Sequence, residues 1–153
     1  MPNTTNKLNN NDCHLIREAT RKLVREFDVF RNIRPSHNLS LSQSHALIEI
    51  KKYNRMTLGE LTELLGLNKS SISRILSSLK SSAYIKQLPH PTDSRVKPFS
   101  LTSKGEKLLQ KINIEANKRV HNALAIIDIK SRNKIIAGLN IYADALRQSR
   151  LKA

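Results

Sequence analysis

The sequence predicts a mainly helical chain with one small β-hairpin. Three observations carry that expectation. Apolar residues recur at helical spacing on both sides of Gly66, within Met56–Leu79. Two short strand-like segments, Tyr84–Gln87 and Val96–Leu101, bracket a loop containing Pro89 and Pro91. Long amphipathic segments lie at both ends of the chain.

The elements follow in order. Residues 1–11 are polar and Asn-rich, which predicts a disordered tail without an apolar signal core. The first helix is expected from about Asp12 to Asn32, with Leu15, Ala19, Leu23, Phe27 and Phe30 in one stripe and Ile16 and Val24 widening it. A linker with Pro35 follows, and Ser40 and Gln43 are spaced as a capping box for a second helix over Ser42–Tyr53. Thr57 and Glu60 repeat that spacing ahead of Leu58, Leu61, Leu64 and Leu65. Gly66 can end that helix, because glycine takes positive φ without a Cβ penalty. Asn68 can cap the next helix, whose buried stripe is Ile72, Ile75, Leu76 and Leu79. After the hairpin, Ser103–Ile127 carries Leu108, Leu109, Ile112, Ala116, Val120, Ala123 and Leu124 on one side. A last helix is expected from about Ser131 to Arg150, on Ile135, Ile136, Leu139, Tyr142, Ala143 and Leu146.

Two helices joined by a tight turn and followed at once by a β-hairpin make a winged helix-turn-helix, here over residues 40–102. The polar face of its second helix is unusual. It carries Lys69, Ser70, Ser71, Ser73, Arg74, Ser77 and Ser78, and no acid occurs between Glu63 and Asp93. Serine is a mediocre helix former, and solvated faces are usually richer in Glu, Lys and Ala. Small hydroxyls beside one Lys and one Arg can approach base edges and phosphates closely. The plainer alternative is a solvated helical hairpin. The expected DNA-binding residues are Asn68, Lys69, Ser70, Ser71, Ser73, Arg74, Asp93, Ser94, Arg95 and Lys97. Arg95, at the wing tip, has the reach and charge to enter a minor groove, with Asp93 orienting it.

Residues 66–105, GLNKSSISRILSSLKSSAYIKQLPHPTDSRVKPFSLTSKG, resemble the core of MarR-type transcriptional regulators. The matching features are the leucine-glycine turn, the serine-rich recognition helix, the Asp-x-Arg wing and the Leu101-Thr102-x-x-Gly105 lead-in to the next helix. The order of elements matches from about Leu15 to Arg150. The resemblance implies one domain over 12–153, with residues 12–34 and 103–150 as dimerisation helices. It further implies a homodimer on a pseudo-palindromic operator, usually a repressor released by a small ligand or by oxidation. The other class of function compatible with the fold is an interaction module that binds protein or RNA.

Composition points the same way. Among 153 residues, 27 Lys+Arg stand against 12 Asp+Glu, a formal charge of +15, which favours a polyanionic partner such as double-stranded DNA. Membrane surface is the rival, but no apolar run reaches the ~18 residues of a spanning helix. The expected location is cytoplasmic.

Other chemistry is sparse. There is no P-loop, dinucleotide fingerprint or nucleophile elbow, so neither an enzyme nor a cofactor is expected. Cys13 is the single cysteine and the redox candidate. The peroxide sensors among MarR-type proteins pair an early cysteine with tyrosines, whereas Arg17 and Phe27 stand here. The five histidines lack short metal-ligand spacing. By resemblance to zinc-sensing relatives, His45, His121 and Glu26 are the candidate ligands, with a capping or half-buried histidine as the alternative.

Overall fold

The computed structural model describes residues 9–32, 38–89 and 97–152, the side chains of 28–32 excepted. Eight elements run in the order α1 (Asn10–Asn32), α2 (Leu41–Lys52), α3 (Leu58–Leu65), α4 (Lys69–Ser81), β1 (Ile85–Gln87), β2 (Phe99–Leu101), α5 (Ser103–Ala125) and α6 (Ile129–Lys152). The chain divides into two compact units, Met1–Asn38 and Leu39–Ala153.

The first unit holds α1. The helix begins at Asn10, two residues before its expected start and inside the expected polar tail. Asn9 explains the shift: its side-chain oxygen accepts from the Asn11 amide at 3.0 Å, and its carbonyl accepts from the Asp12 amide at 3.0 Å. The apolar stripe is open to solvent, with Leu15, Val24 and Phe27 at 53%, 52% and 61% exposure.

The second unit is built around one core. Ser40 and Gln43 form the expected capping box at the start of α2. From α2 come Ala46, Leu47 and Ile50, from α3 Leu61, from α4 Ile72, Leu76 and Leu79, and from the hairpin Ile85 and Phe99. Five of these leucines and isoleucines are completely buried, each contributing roughly 1.5–3 kcal/mol of transfer free energy. β1 and β2 pair antiparallel with Ile85 opposite Leu101 and Gln87 opposite Phe99. Met56 adds a bridge on the outer side of β2, exchanging backbone hydrogen bonds with Phe99 at 3.0 and 2.8 Å. That bridge fastens the segment before α3 to the wing.

The last turn of α4 closes on Ala83, whose φ is +59°. The Tyr84 amide donates to Leu79 O and the Ala83 amide to Lys80 O, both at 2.9 Å, satisfying carbonyls left open at the helix end. Thr102 then does three things. Its hydroxyl donates to Ala83 O at 2.6 Å and accepts from the Gly105 amide at 3.1 Å, and its own amide donates to Tyr84 O at 3.0 Å. α5 is thereby capped and clasped to the end of α4 in one step. Gly105 permits that approach, because a Cβ there would lie 2.0 Å from Tyr84 O.

The first half of α5 seats Leu109 and Ile112 as buried residues. It ends at Ala125 and α6 begins at Ile129, two residues earlier than expected, because Asp128 is a cap. Its carboxylate accepts from the Ser131 amide at 2.8 Å and hydroxyl at 2.7 Å. No residue of α6 is buried. At its far end, the Arg150 guanidinium donates to Leu64 O at 3.3 Å, reaching the end of α3.

The clasp generates opposite expectations for two small residues. Gly105→Ala forces backbone apart and should destabilise the fold by about 2 kcal/mol or more. Ala83→Gly relieves a left-handed alanine and should stabilise it by about 1 kcal/mol. Urea denaturation midpoints, compared at unchanged slope, check both.

Candidate nucleic-acid interface

The helix-turn-helix forms through three local devices. The Glu60 amide donates to the Thr57 hydroxyl at 3.2 Å, while the Glu60 carboxylate accepts from the Thr57 amide at 2.7 Å and hydroxyl at 2.8 Å. Gly66 ends α3 with φ +64° and ψ +27°, its amide donating to Thr62 O at 3.0 Å. Asn68 caps α4, its side-chain oxygen accepting from the Ser71 amide and the Ser70 hydroxyl, both at 2.8 Å.

Burial then sets the rotation of α4. Ile72, Leu76 and Leu79 face the core, and Ile75 packs half-buried beside them. The opposite surface presents Ser70, Arg74 and Ser77, all exposed. Arg74 Nε donates to Ser70 O at 3.4 Å, so its guanidinium lies along the outer surface toward the helix start. Lys69, Ser73 and Lys80 occupy the flank toward the wing, spaced four and seven residues apart. On the other flank, Ser71 is half-buried, and Ser78 accepts from Gln43 Nε2 at 2.9 Å. Gln43 therefore caps α2 and braces α4 at once. Nothing in the sequence spacing signals that second role.

Of the expected site residues, Asn68, Lys69, Ser70, Ser71, Ser73 and Arg74 lie together on the first two turns of α4 and its cap. Lys97 is exposed just before β2. Asp93, Ser94 and Arg95 lie outside the described residues. Asn68 and Ser71 are engaged in the cap itself.

Cys13 is exposed on α1. His45 is exposed on α2, His121 on α5 and Glu26 on α1, beside Arg25 at 3.7 Å. Among the described residues, no three His, Cys, Asp or Glu side chains converge on a possible metal position. No described helix is long and apolar enough to cross a membrane.

A short helix, a glycine turn, an outward helix free of acids and a hairpin packed beside it define a winged helix-turn-helix of the DNA-binding class. Comparison with known proteins points to one family. The MarR family's sequence model matches residues 37–96. An uncharacterised HTH-type transcriptional regulator of Mycobacterium bovis is 29% identical over 104 residues, spanning 68% of this chain and 71% of its own length. The regulator TcaR of Staphylococcus aureus is 27% identical over 118 residues, or 73% and 77% of the two chains. Among solved structures, FabT of Streptococcus pneumoniae in complex with DNA superposes with a TM-score of 0.76 at 19% identity, over 88% of this chain and 97% of FabT. A MarR protein from Peptoclostridium difficile superposes at 0.71 with 16% identity, over 99% and 97%. Residues 37–96 thus match the MarR family, the fold is that of MarR-type winged-helix structures, and the curated relatives similar to this chain are named transcriptional regulators.

The capping box makes the module sensitive to acid. Hydrogen bonds from the Thr57 backbone and then its hydroxyl hold the Glu60 carboxyl below its ordinary value of 4.5, with a smaller contribution from the Arg55 charge. A depressed folded pKa stabilises the fold above that ordinary value, and the contribution fades as pH falls through the lower folded one. Glu60→Gln should therefore flatten the loss of stability on acidification below pH 4.5. Thermal melts of both proteins across that window check it.

Proposed function

We propose that the protein is a homodimeric repressor of a pseudo-palindromic operator, with α4 in a major groove and the wing over the adjacent minor groove. The observation that carries this reading is the rotation of α4, which turns Arg74, Ser70 and Ser77 outward on a surface without an acid. In such a complex Arg74 reads a base edge and Lys69 holds a phosphate, so the two respond differently to substitution. Arg74→Ala should cost specific binding about 1–3 kcal/mol and lower the ratio of specific to random affinity. Lys69→Ala should weaken both about equally. A gel shift on the DNA upstream of the protein's own gene, with random competitor, separates the two outcomes. An unchanged ratio for Arg74→Ala would remove its base-reading role.

The wing assignment rests on sequence, since its tip lies outside the described residues. Arg95 enters or covers the minor groove and Asp93 orients it. Asp93→Ala then loosens binding although it removes a negative charge beside DNA. If Asp93 acted through bulk charge alone, the same change would tighten binding. A salt titration of Asp93→Ala and Arg95→Ala on one operator gives the sign.

Dimerisation is supported by uncovered apolar surface on the long helices. α6 exposes Ile136, Leu139 and Leu146 at 54%, 52% and 53%, and α1 exposes Leu15, Leu23 and Phe27. Helices of this length and pattern need a partner to bury their stripes. Sedimentation equilibrium at micromolar concentration should return two chains, and a monomer there would overturn the dimer. Release by a small ligand is supported by a cleft of ≈ 420 Å³ lined by Asn117, Val120, His121, Leu124, Ala125 and Arg132, where apolar walls meet a cation. Oxidation of exposed Cys13 is the secondary route of release.

A further inference from the structure

The last two turns of α6 reach the helix-turn-helix through two arginines. Arg147 stands three residues before Arg150, so both lie on one side of the helix. Arg147 lines a cleft of ≈ 230 Å³ together with Tyr53, Arg55, Glu60, Glu63 and Leu64. Arg150 donates from Nη2 to Leu64 O at 3.3 Å. Its guanidinium also lies over Gly66, where an added Cβ would overlap Nη1. No residue of α6 is buried, so the contact is made by the arginine side chains rather than by a packed face.

Where this contact falls matters more than its strength. A helix end leaves its last carbonyls without intrahelical donors. In α3 the Gly66 amide serves Thr62 O, and Arg150 serves Leu64 O from outside the motif. A guanidinium there also suits the negative end of the α3 dipole. Gly66, Leu67 and Asn68 are all that separate α3 from α4. A group seated on Gly66 therefore bears on the angle between the two helices. One exposed bond adds little to overall stability, so its effect falls on that angle.

We propose that Arg150 is a positioning residue for α4, acting from α6 as a clamp on the turn between α3 and α4. It continues the stripe of Leu139 and Leu146 on α6, at spacings of seven and four. Whatever covers that stripe therefore also fixes the guanidinium and, through it, the outward setting of Arg74. The clamp itself is independent of DNA, whereas its consequence for recognition rests on the proposed DNA-binding reading.

The test uses the full chain and three variants. Arg150→Ala removes the clamp. Gly66→Asn evicts the guanidinium but keeps its charge, since asparagine tolerates the left-handed turn and brings a Cβ. The third variant combines both changes. Hydrogen exchange is followed over residues 62–72, which include the Gly66, Ser71 and Ile72 amides bonded at the turn and cap. It should quicken about fivefold in each single variant, as loss of one charge-assisted bond allows. The double variant should add less than about twofold to either single one. On a duplex selected from a random-sequence pool, each single variant should lower the ratio of specific to random affinity about threefold or more, a fraction of what a lost base contact costs. Random DNA, which responds to charge, should bind Gly66→Asn as it binds the wild type. Unchanged exchange in Arg150→Ala, or full additivity of the two changes, overturns the clamp. Faster exchange with an unchanged ratio overturns the positioning role and leaves DNA binding intact. Equal weakening of specific and random DNA by Arg150→Ala, with Gly66→Asn neutral, assigns Arg150 to bulk charge and overturns that role as well. A pool that enriches no duplex overturns the DNA-binding reading, while exchange still decides the clamp.

Discussion

The outer surface of the helix-turn-helix depends on the rotational setting of α4. A helix with an incomplete apolar stripe can roll about its axis, and its outer residues roll with it. Here Ile72 and Leu79 are fully buried and Leu76 nearly so, against Leu47, Ile50 and Leu61. Rolling the helix far enough to shift Arg74 would expose two of these side chains at a cost of roughly 3–6 kcal/mol. The Gln43 bond to Ser78 braces one flank and the wing base occupies the other. Position on the outer surface is thus a consequence of apolar packing on the inner one. The polar residues can change without disturbing the geometry that presents them.

The local grammar of the chain was open to inspection in its sequence. Capping boxes at Ser40/Gln43 and Thr57/Glu60, the left-handed Gly66 and the Asn68 cap all form where spacing places them. Each joins residues within four positions, so short-range chemistry decides it. Contacts between distant residues were not visible. Gln43 with Ser78, Met56 with Phe99 and Lys80 with Gln87 exist only once the elements pack. The starts of α1 and α6 fell earlier than periodicity indicated, because Asn9 and Asp128 cap before the first apolar residue of the stripe. Asp128 followed by Ser131 was a usable signal, masked by the apolar residues around it.

Charge is partitioned as well as abundant. Basic residues outnumber acids on α5, α6 and α4, and α4 carries no acid. Glu60 is spent on a cap and Glu106 on an exposed bond to Lys51 at 2.6 Å. Such exposed pairs stabilise little. A polyanion approaching the outer surface of α4 meets basic side chains and hydroxyls without an acid among them, and such a field raises its rate of encounter more than its final affinity.

The clasp at Thr102 has a mechanical consequence. It fixes α5 to the end of α4 through hydrogen bonds and a glycine contact, leaving little slack at the joint. α5 is 23 residues long, or about 35 Å at the usual helical rise. A tilt of about 5° about such a joint carries the distant end of α5 by roughly 3 Å, comparable to the ~3.4 Å between successive bases on one strand. In reverse, a displacement of that size at the remote end turns the joined end of α4 by the same few degrees. α5 is in this sense a gear with a long arm, converting a shift too large to be noise into a rotation small enough to leave the core packed.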